Sequence, residues 1–351
     1  MMKKLSTLLT TLVLIGLLAG CGGTAATTPD TAGRGNQPIQ LTLGAYTTPR
    51  EAYSQIIPLF QAEWKQRTGQ DVTFEESYQG SGAQSRAIVE GFEADIAALS
   101  LEADIDRIRA AGLITHAWKS KAHAGMISDS IVVFAVRPGN PEGIQDWADL
   151  AKPGLEVLTP NPQTSGGAQW NILAVYGAAF RGRVAGVPQG DEAAAMDFLK
   201  AVLKNVTVMD KSARESVTNF EAGVGDVLIT YENEVLVGQQ AGADYEMIMP
   251  RSTILIENPV AVVDSYVDKH GTRAAAEAFV EFLFTRPAQE IFAQYGLRSV
   301  DPEVAQATAE QYPPVEDLFT VKDFGGWQDV ADKFFDDDGI YSVAIAEVQG
   351  P

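Results

Sequence analysis

Short runs of serine, threonine and glycine precede four predicted helices, and such runs can bind an anion. They lie at residues 48–51 (TPRE), 79–82 (QGSG), 163–167 (QTSGG) and 211–216 (KSARES). The first N–H groups of a helix have no partner within the helix, and the helix start carries about half a positive charge. Glycine lets the main chain approach a ligand, and serine adds a hydroxyl donor. Several such starts meeting at one point would hold an anion without a basic side chain.

Each of these starts also has a purely structural explanation, because Ser, Thr and Gly commonly cap helices. The start at 48–51 is the least informative of the four. The start at 163–167 is the most informative, because two glycines behind Ser165 weaken a helix unless its main chain must approach something closely. This start therefore favours a ligand contact more than the others do.

The rest of the chain alternates short apolar strands with helical stretches, which is the pattern of a parallel α/β sheet. Predicted strands lie at residues 39–46, 72–77, 96–99, 131–136, 156–159, 206–209, 226–231, 246–249 and 260–263. Predicted helices lie at residues 49–69, 84–91, 171–180, 193–203, 274–284 and 288–295. In such sheets the strand-to-helix turns lie at the carboxyl ends of the strands, where ligands bind.

The residues from 38 onwards are too many for one typical hydrophobic core, so we expect two α/β lobes. Lobe I is predicted to comprise residues 38–127 and 258–351, and lobe II residues 128–257. The chain would cross between the lobes near residues 128–133 and 258–262.

The amino terminus has the pattern of an export signal. Two lysines are followed by a mainly apolar stretch at 5–18, which is too short to span a bilayer. The sequence LAGC at 18–21 resembles the bacterial lipobox and contains the one cysteine of the chain, Cys21. We predict a lipoprotein signal peptide at 1–20, a lipid on Cys21 and a flexible tether at 21–37. The alternative is an ordinary secretory signal with an incidental cysteine.

The net charge of −20 argues against nucleic-acid binding, which uses basic patches. Removal of residues 1–20 would take away two lysines and no acidic residue, so the exported chain would be more negative still. Repulsion of an anion by distant charges is screened over about 8 Å in physiological salt. A site made of main-chain dipoles acts at contact distance, so it is compatible with this charge.

An enzyme, such as a secreted hydrolase, is the alternative class of function. The three histidines, His116, His123 and His270, lack the spacing of a zinc site. Ser165 does not lie in a Gly-x-Ser-x-Gly motif, and no phosphate-binding Gly–Lys pattern is present. We therefore predict no catalytic residue, no metal and no cofactor. A structural or adhesive role would not require donor-rich helix starts in both lobes.

Several motifs together resemble the periplasmic sulfate-binding proteins. They are GSG at 80–82, TPNP at 159–162, TSGGA at 164–168, WN at 170–171, GDVLI at 225–229, ENE at 232–234 and FGGW at 324–327. The resemblance covers most of the chain between about residues 39 and 330. It implies a type II periplasmic-binding-protein fold, in which two lobes close about a hinge on a ligand in the cleft between them.

The resemblance also implies the ligand and the residues that bind it. In this family neutral donors hold a buried sulfate, and the matching positions here are Thr47, Ser81, Ser165, Gly166, Gly167, Ala213 and Tyr231. Thr47 and Ala213 would donate through the main chain, and Ser81 through its hydroxyl. Thr47 replaces the usual aspartate, and Tyr231 replaces the usual tryptophan. Glu232 and Glu234 are expected at the rim of the site or paired with Arg214 or Arg50.

A site of donors favours sulfate, because hydrogenphosphate would leave its proton unpaired at a cost of roughly 1–3 kcal/mol. Thiosulfate, molybdate, tungstate and phosphate remain alternative ligands. The implied partners are the permease and ATPase subunits of an ABC importer, on separate chains. The protein is expected to be a monomer, exported to the periplasm or cell surface and anchored to the membrane through Cys21.

Overall fold

A computed structural model of the chain describes residues 38–350. The predicted signal peptide, Cys21 and the tether lie outside the described residues. Ten strands are present in the described part: β1 Ile39–Tyr46, β2 Val72–Gln79, β3 Ile96–Ala98, β4 Met126–Val136, β5 Val157–Pro160, β6 Val206–Asp210, β7 Val227–Tyr231, β8 Glu246–Ile248, β9 Ser252–Val262 and β10 Asp317–Phe319.

Thirteen α-helices of the described part flank these strands. They are α1 Arg50–Thr68, α2 Ser81–Val89, α3 Glu102–Ala110, α4 Gly166–Phe180, α5 Glu192–Lys204, α6 Ala213–Glu221, α7 Glu232–Gln240, α8 Asp264–His270, α9 Arg273–Phe282, α10 Arg286–Gln294, α11 Pro302–Ala307, α12 Trp327–Val330 and α13 Ile340–Gln349. Among the residues described, no helix has the length and apolar character needed to cross a membrane.

The strands are joined in the order β2-β1-β3-β9-β4-β7-β5-β6, with β10 beside β9 and β8 beside β4. Parallel pairing joins β1 to β2 and β3, and β5 to β6 and β7. The predicted α/β architecture is therefore confirmed, but the sheet is mixed rather than parallel throughout, because β4 and β9 run antiparallel to their neighbours β7, β8 and β3 and to each other. Its strand-to-helix turns place the starts of α1, α2, α6 and α7 at the carboxyl ends of β1, β2, β6 and β7.

Two long antiparallel strands, β4 and β9, connect the two parts of the sheet. They pair with each other from Met126 opposite Pro259 to Ile131 opposite Leu255. Beyond this stretch β4 pairs with β7, and β9 pairs with β3. The predicted chain crossings near 128–133 and 258–262 lie in or at the end of these strands. The boundaries of lobes I and II stay predictions.

Both strands begin earlier than the sequence predicts. β4 was expected from residue 131 and β9 from residue 260, but they begin at Met126 and Ser252. Polar residues such as Asp129, Glu257 and Asn258 interrupt the apolar pattern in these stretches, so the pattern does not predict a strand there. The stretches are strands because β4 and β9 pair with each other.

Two aromatic clusters mark the cores on either side of β4 and β9. One surrounds Phe60, which lies 5.1 Å from Phe279 between ring centroids. The other surrounds α4, where Trp170 lies 4.6 Å from Trp327. Trp327 belongs to the carboxyl-terminal residues assigned above to lobe I, yet it shares this core with lobe II. The last helices therefore hold α4, and with it the start at 163–167, in place.

Candidate functional site

The starts of α2, α4 and α6 meet at one small cavity. Its lining residues are Tyr46, Thr47, Thr48, Gly80, Ser81, Ser100, Ser165, Gly167, Ala213 and Tyr231. All are neutral, and none is lysine, arginine or histidine. Six of the seven residues predicted to bind the ligand are brought together here; Gly166 is the exception.

The start of α2 contributes differently from the sequence prediction. Ser81 is buried, and its Oγ donates a hydrogen bond to Asp104 Oδ2 at 2.5 Å. The same Oγ accepts from the main-chain N–H of Ser100 at 2.9 Å. Because a serine hydroxyl has one hydrogen, Ser81 has none left to donate into the cavity. The prediction of a hydroxyl donor does not fit this arrangement, and the first-turn N–H of Ser81 is the group that remains.

The start of α4 keeps its donors available. Ser165 is the N-cap residue, but its side chain makes no capping hydrogen bond with the helix. Gly167 lines the cavity, whereas Gly166 packs against Ser100, whose Oγ would lie 2.7 Å from a Cβ at this position. Only glycine fits there, and the N–H groups of both glycines belong to the first turn, which has no intrahelical acceptor for them.

At the start of α6 the serine side chain caps the helix, and the main chain faces the cavity. Ser212 accepts a capping hydrogen bond from the N–H of Glu215 at 3.3 Å. Ala213, the first helical residue, is buried and lines the cavity. Its N–H lies in the unpaired first turn, as predicted for a main-chain donor.

A pair of hydroxyls closes one wall of the cavity. Tyr231 OH and Ser100 Oγ lie 2.6 Å apart, and either atom can be the donor. Burial raises the pKa of Tyr231 well above its usual value, so the phenol keeps its proton. Ser100 was not predicted as a site residue. The signal that would have found it is its position just after β3, at the carboxyl end of a central strand.

The end of β1 supplies three further lining residues, of which only Thr47 was predicted. Tyr46 and Thr48 are buried on either side of it. The Tyr46 hydroxyl is buried without a hydrogen-bond partner among the described residues. The Thr48 hydroxyl is hydrogen-bonded to Glu234. Tyr46 and Thr48 could have been identified from the sequence by their position beside Thr47 at the end of a strand.

Charged groups near the cavity are paired with one another rather than turned into it. Arg214 contacts Glu51 of α1 at 2.6 Å and Glu234 of α7 at 2.9 Å. Glu234 is almost completely buried, and this burial, opposed by the charge of Arg214, raises the pKa of its carboxyl. This ion pair agrees with the predicted pairing to Arg214. Of the two predicted alternatives, Glu234 therefore takes the pairing and not the place at the rim, because its side chain lies inside the protein.

Glu232 is also buried rather than at the rim. Its two carboxylate oxygens accept from Arg298 at 2.7 and 2.8 Å. Burial raises the pKa of Glu232, and the hydrogen bonds to Arg298 oppose that rise. Neither acidic residue of the ENE motif lines the cavity.

The histidines lie away from the cavity. His116 contacts Asp264 at 2.7 Å, and His270 lies between Glu93 and Asp95. His123 stacks on Phe284. No histidine is therefore beside Ser165 to act as its base. Within residues 38–350 there is also no group of three or more histidine, cysteine or acidic side chains that could hold a metal.

The helix starts press closely on one another across the cavity. The N–H of Ala83 in α2 donates to the carbonyl of Thr164 at 3.1 Å. A Cβ on Gly80 would lie 2.5 Å from the carbonyl oxygen of Thr164 and 2.7 Å from that of Lys211. These contacts join residues predicted to belong to different lobes. With those predicted bounds, the start of α2 would meet the residues around Thr164 and Lys211 across the cleft, and the lack of a Cβ at Gly80 allows this close approach.

A family model described as bacterial extracellular solute-binding protein matches residues 41–298. A sulfate-binding protein of Synechococcus elongatus is 44% identical over 335 residues, covering 95% of this chain and 93% of that protein. A sulfate-binding protein of Escherichia coli is 42% identical over 308 residues, covering 86% and 92%. The solved structure of the sulfate-binding protein SubI from Mycobacterium tuberculosis is 40% identical, with a TM-score of 0.78, and covers 85% of this chain and 100% of that one. The predicted two-lobed type II fold is confirmed.

Replacing Arg214 with methionine tests how the buried charges are balanced. Removal of one partner from a buried ion pair should cost roughly 2–4 kcal/mol, since Arg214 is itself partly exposed. Without Arg214 the pKa of Glu234 should rise further, so folding would take up a proton. The unfolding free energy of Arg214→Met should therefore fall as the pH rises from about 5 to 8. Urea denaturation across this pH range measures both effects.

The double variant Arg214→Met/Glu234→Gln is the control. It removes the unpaired carboxylate, so it should regain stability at the alkaline end and lose the additional pH dependence. An Arg214→Met variant that equals the unaltered protein at about pH 8 would contradict this account of the charge balance.

Proposed function

Because the chain belongs to the family of bacterial extracellular solute-binding proteins, we propose that it captures sulfate and delivers it to an ABC-type importer. The main support for sulfate binding is that the first turns of α2, α4 and α6 converge on one small cavity lined by neutral residues. Sulfate carries no proton at neutral pH and offers only acceptors. The unpaired N–H groups of these helix starts offer only donors.

Such a site can reach useful affinity without a cation. A hydrogen bond to a charged group contributes roughly 1.5–3 kcal/mol. A handful of these bonds suffices for a micromolar dissociation constant, about −8 kcal/mol. We assign the ligand contacts to Thr47, Ser81, Ser165, Gly166, Gly167, Ala213 and Tyr231, with Ser81 acting through its N–H. Ser100 and Tyr46 are added because they line the same cavity.

Binding without catalysis fits the surroundings of Ser165. A serine nucleophile needs a base within hydrogen-bond reach, and the three histidines have other partners elsewhere. The competing ligands are thiosulfate and molybdate, which share the tetrahedral shape and negative charge of sulfate. The names of the relatives favour sulfate among them.

The remaining parts of the proposed role concern location and assembly. We propose that residues 1–20 direct export, that Cys21 carries the lipid, and that residues 21–37 connect it to the folded part. We propose that the protein acts as a monomer, since all lining residues of the cavity come from one chain and no second copy is needed to complete it. The permease and ATPase subunits would be separate chains that receive the loaded protein.

Titration calorimetry of the exported chain tests the ligand directly. Sulfate should bind with a dissociation constant of about 1 μM or less, tighter than thiosulfate, molybdate or phosphate. The affinity should change little between about pH 5 and 8, because no lining residue titrates in that range. Binding of none of these oxyanions, or tightest binding of phosphate, would overturn the assignment.

Two neighbouring glycines provide a test of lobe closure. Alanine at Gly80 fits the local backbone but meets the carbonyls of Thr164 and Lys211. Overpacking of this kind costs roughly 1–3 kcal/mol, so the sulfate affinity of Gly80→Ala should fall by about 5- to 150-fold. Calorimetry measures the loss, and thermal unfolding without ligand should show an intact fold.

Gly82→Ala is the matched control on the same helix. Its added Cβ would meet the nearest atoms at an ordinary 3.4 Å, so sulfate affinity should stay within about threefold. Equal losses in the two variants would show that closeness of the lobes at Gly80 is not what limits binding.

A further inference from the structure

The Ser100–Tyr231 pair differs from the other donors of the cavity because its direction can reverse. Both side chains are buried, and their oxygens lie 2.6 Å apart. Ser100 is held from both sides, since its N–H donates to Ser81 Oγ and its carbonyl accepts from Trp170 Nε1. The two hydroxyls are therefore fixed in place while their hydrogens remain free to rotate.

Two hydroxyls joined in this way hold two hydrogens, and one of these lies between the two oxygens. When Ser100 donates to Tyr231, the Tyr231 hydrogen can point into the cavity and bind a ligand that has no proton. When Tyr231 donates to Ser100, the Tyr231 oxygen can accept from a protonated ligand. The Ser100 hydrogen then turns to another oxygen of that ligand. Every hydrogen finds an acceptor in both directions.

No other hydroxyl of the cavity is joined in such a pair among the described residues; the Tyr46 hydroxyl is buried with no hydrogen-bond partner at all. The Ser81 hydrogen is held by Asp104, and the Thr48 hydroxyl is bonded to Glu234. In residues 38–350 the Ser165 hydroxyl is not joined to a second hydroxyl. If it accepted from a ligand, it would have no fixed partner for its own hydrogen. The main-chain N–H groups of the helix starts can only donate.

We propose that the Ser100–Tyr231 hydroxyl pair serves as a hydrogen-bond acceptor in the site, so that the site also admits singly protonated tetrahedral oxyanions such as hydrogenphosphate. The inference rests on the proposed function and deepens it by widening the class of ligand. An indole in place of Tyr231 could donate but not accept, and it would exclude the protonated ion more strictly. Sulfate remains the preferred ligand because the helix starts supply only donors.

Paired calorimetric titrations with sodium sulfate and inorganic phosphate test this proposal at a slightly alkaline pH, where hydrogenphosphate is the main phosphate species. The quantity of interest is the ratio of the phosphate to the sulfate dissociation constant. In the unaltered protein phosphate binding should be measurable. In Tyr231→Trp and in Ser100→Ala the ratio should rise about tenfold, equivalent to 1.4 kcal/mol.

Ser100→Ala keeps the test decisive if tryptophan does not fit, since it removes only one oxygen. Tyr341→Phe, which removes a tyrosine hydroxyl that does not line the cavity, should leave the ratio unchanged. An unchanged ratio in Ser100→Ala, or phosphate binding more than about a thousandfold weaker than sulfate binding in the unaltered protein, would overturn the proposal. Absence of sulfate binding by the unaltered protein would instead overturn the proposed function, and this inference with it.

Discussion

Main-chain N–H groups at the start of a helix have no carbonyl to bind within that helix, and the arrangement of the chain depends on this constraint. Parallel strands bring the starts of α2 and α6 to their carboxyl ends, and the C-terminal helices hold α4 against them. Glycines at 80 and 166 let these starts approach across the cavity. The unpaired donors thus face one another in a space that an acceptor-rich dianion would fill.

The charged side chains explain why this site can be neutral in a strongly acidic protein. Arg214 follows Ala213 directly, yet it binds Glu51 and Glu234 instead of lining the cavity. A cation in the cavity would hold the anion more strongly but would also bind the carboxylates around it. Fixed main-chain dipoles avoid that competition, because they cannot turn away toward another partner.

Sequence patterns predicted the parts of this arrangement that depend on local structure. The strands, the helix starts and the glycines behind Ser165 follow from periodicity and capping. The use of each side chain could not be predicted, because it depends on residues distant in the chain. The sequence does not show that the Ser81 hydroxyl donates its hydrogen to Asp104. Nor does it show that Glu234 is buried and paired with Arg214 instead of lying at the rim. Ser100 belongs to no recognisable motif, and its role in the site depends on the hydrogen bond between its hydroxyl and that of Tyr231.

A crystal structure of the protein with selenate, located by its anomalous scattering, tests the central claim most directly. The account predicts one selenium in the cavity, with selenate oxygens about 2.7–3.2 Å from the main-chain nitrogens of Gly167 and Ala213 and no lysine or arginine in contact. Selenate bound elsewhere, or held by a basic side chain, would contradict it.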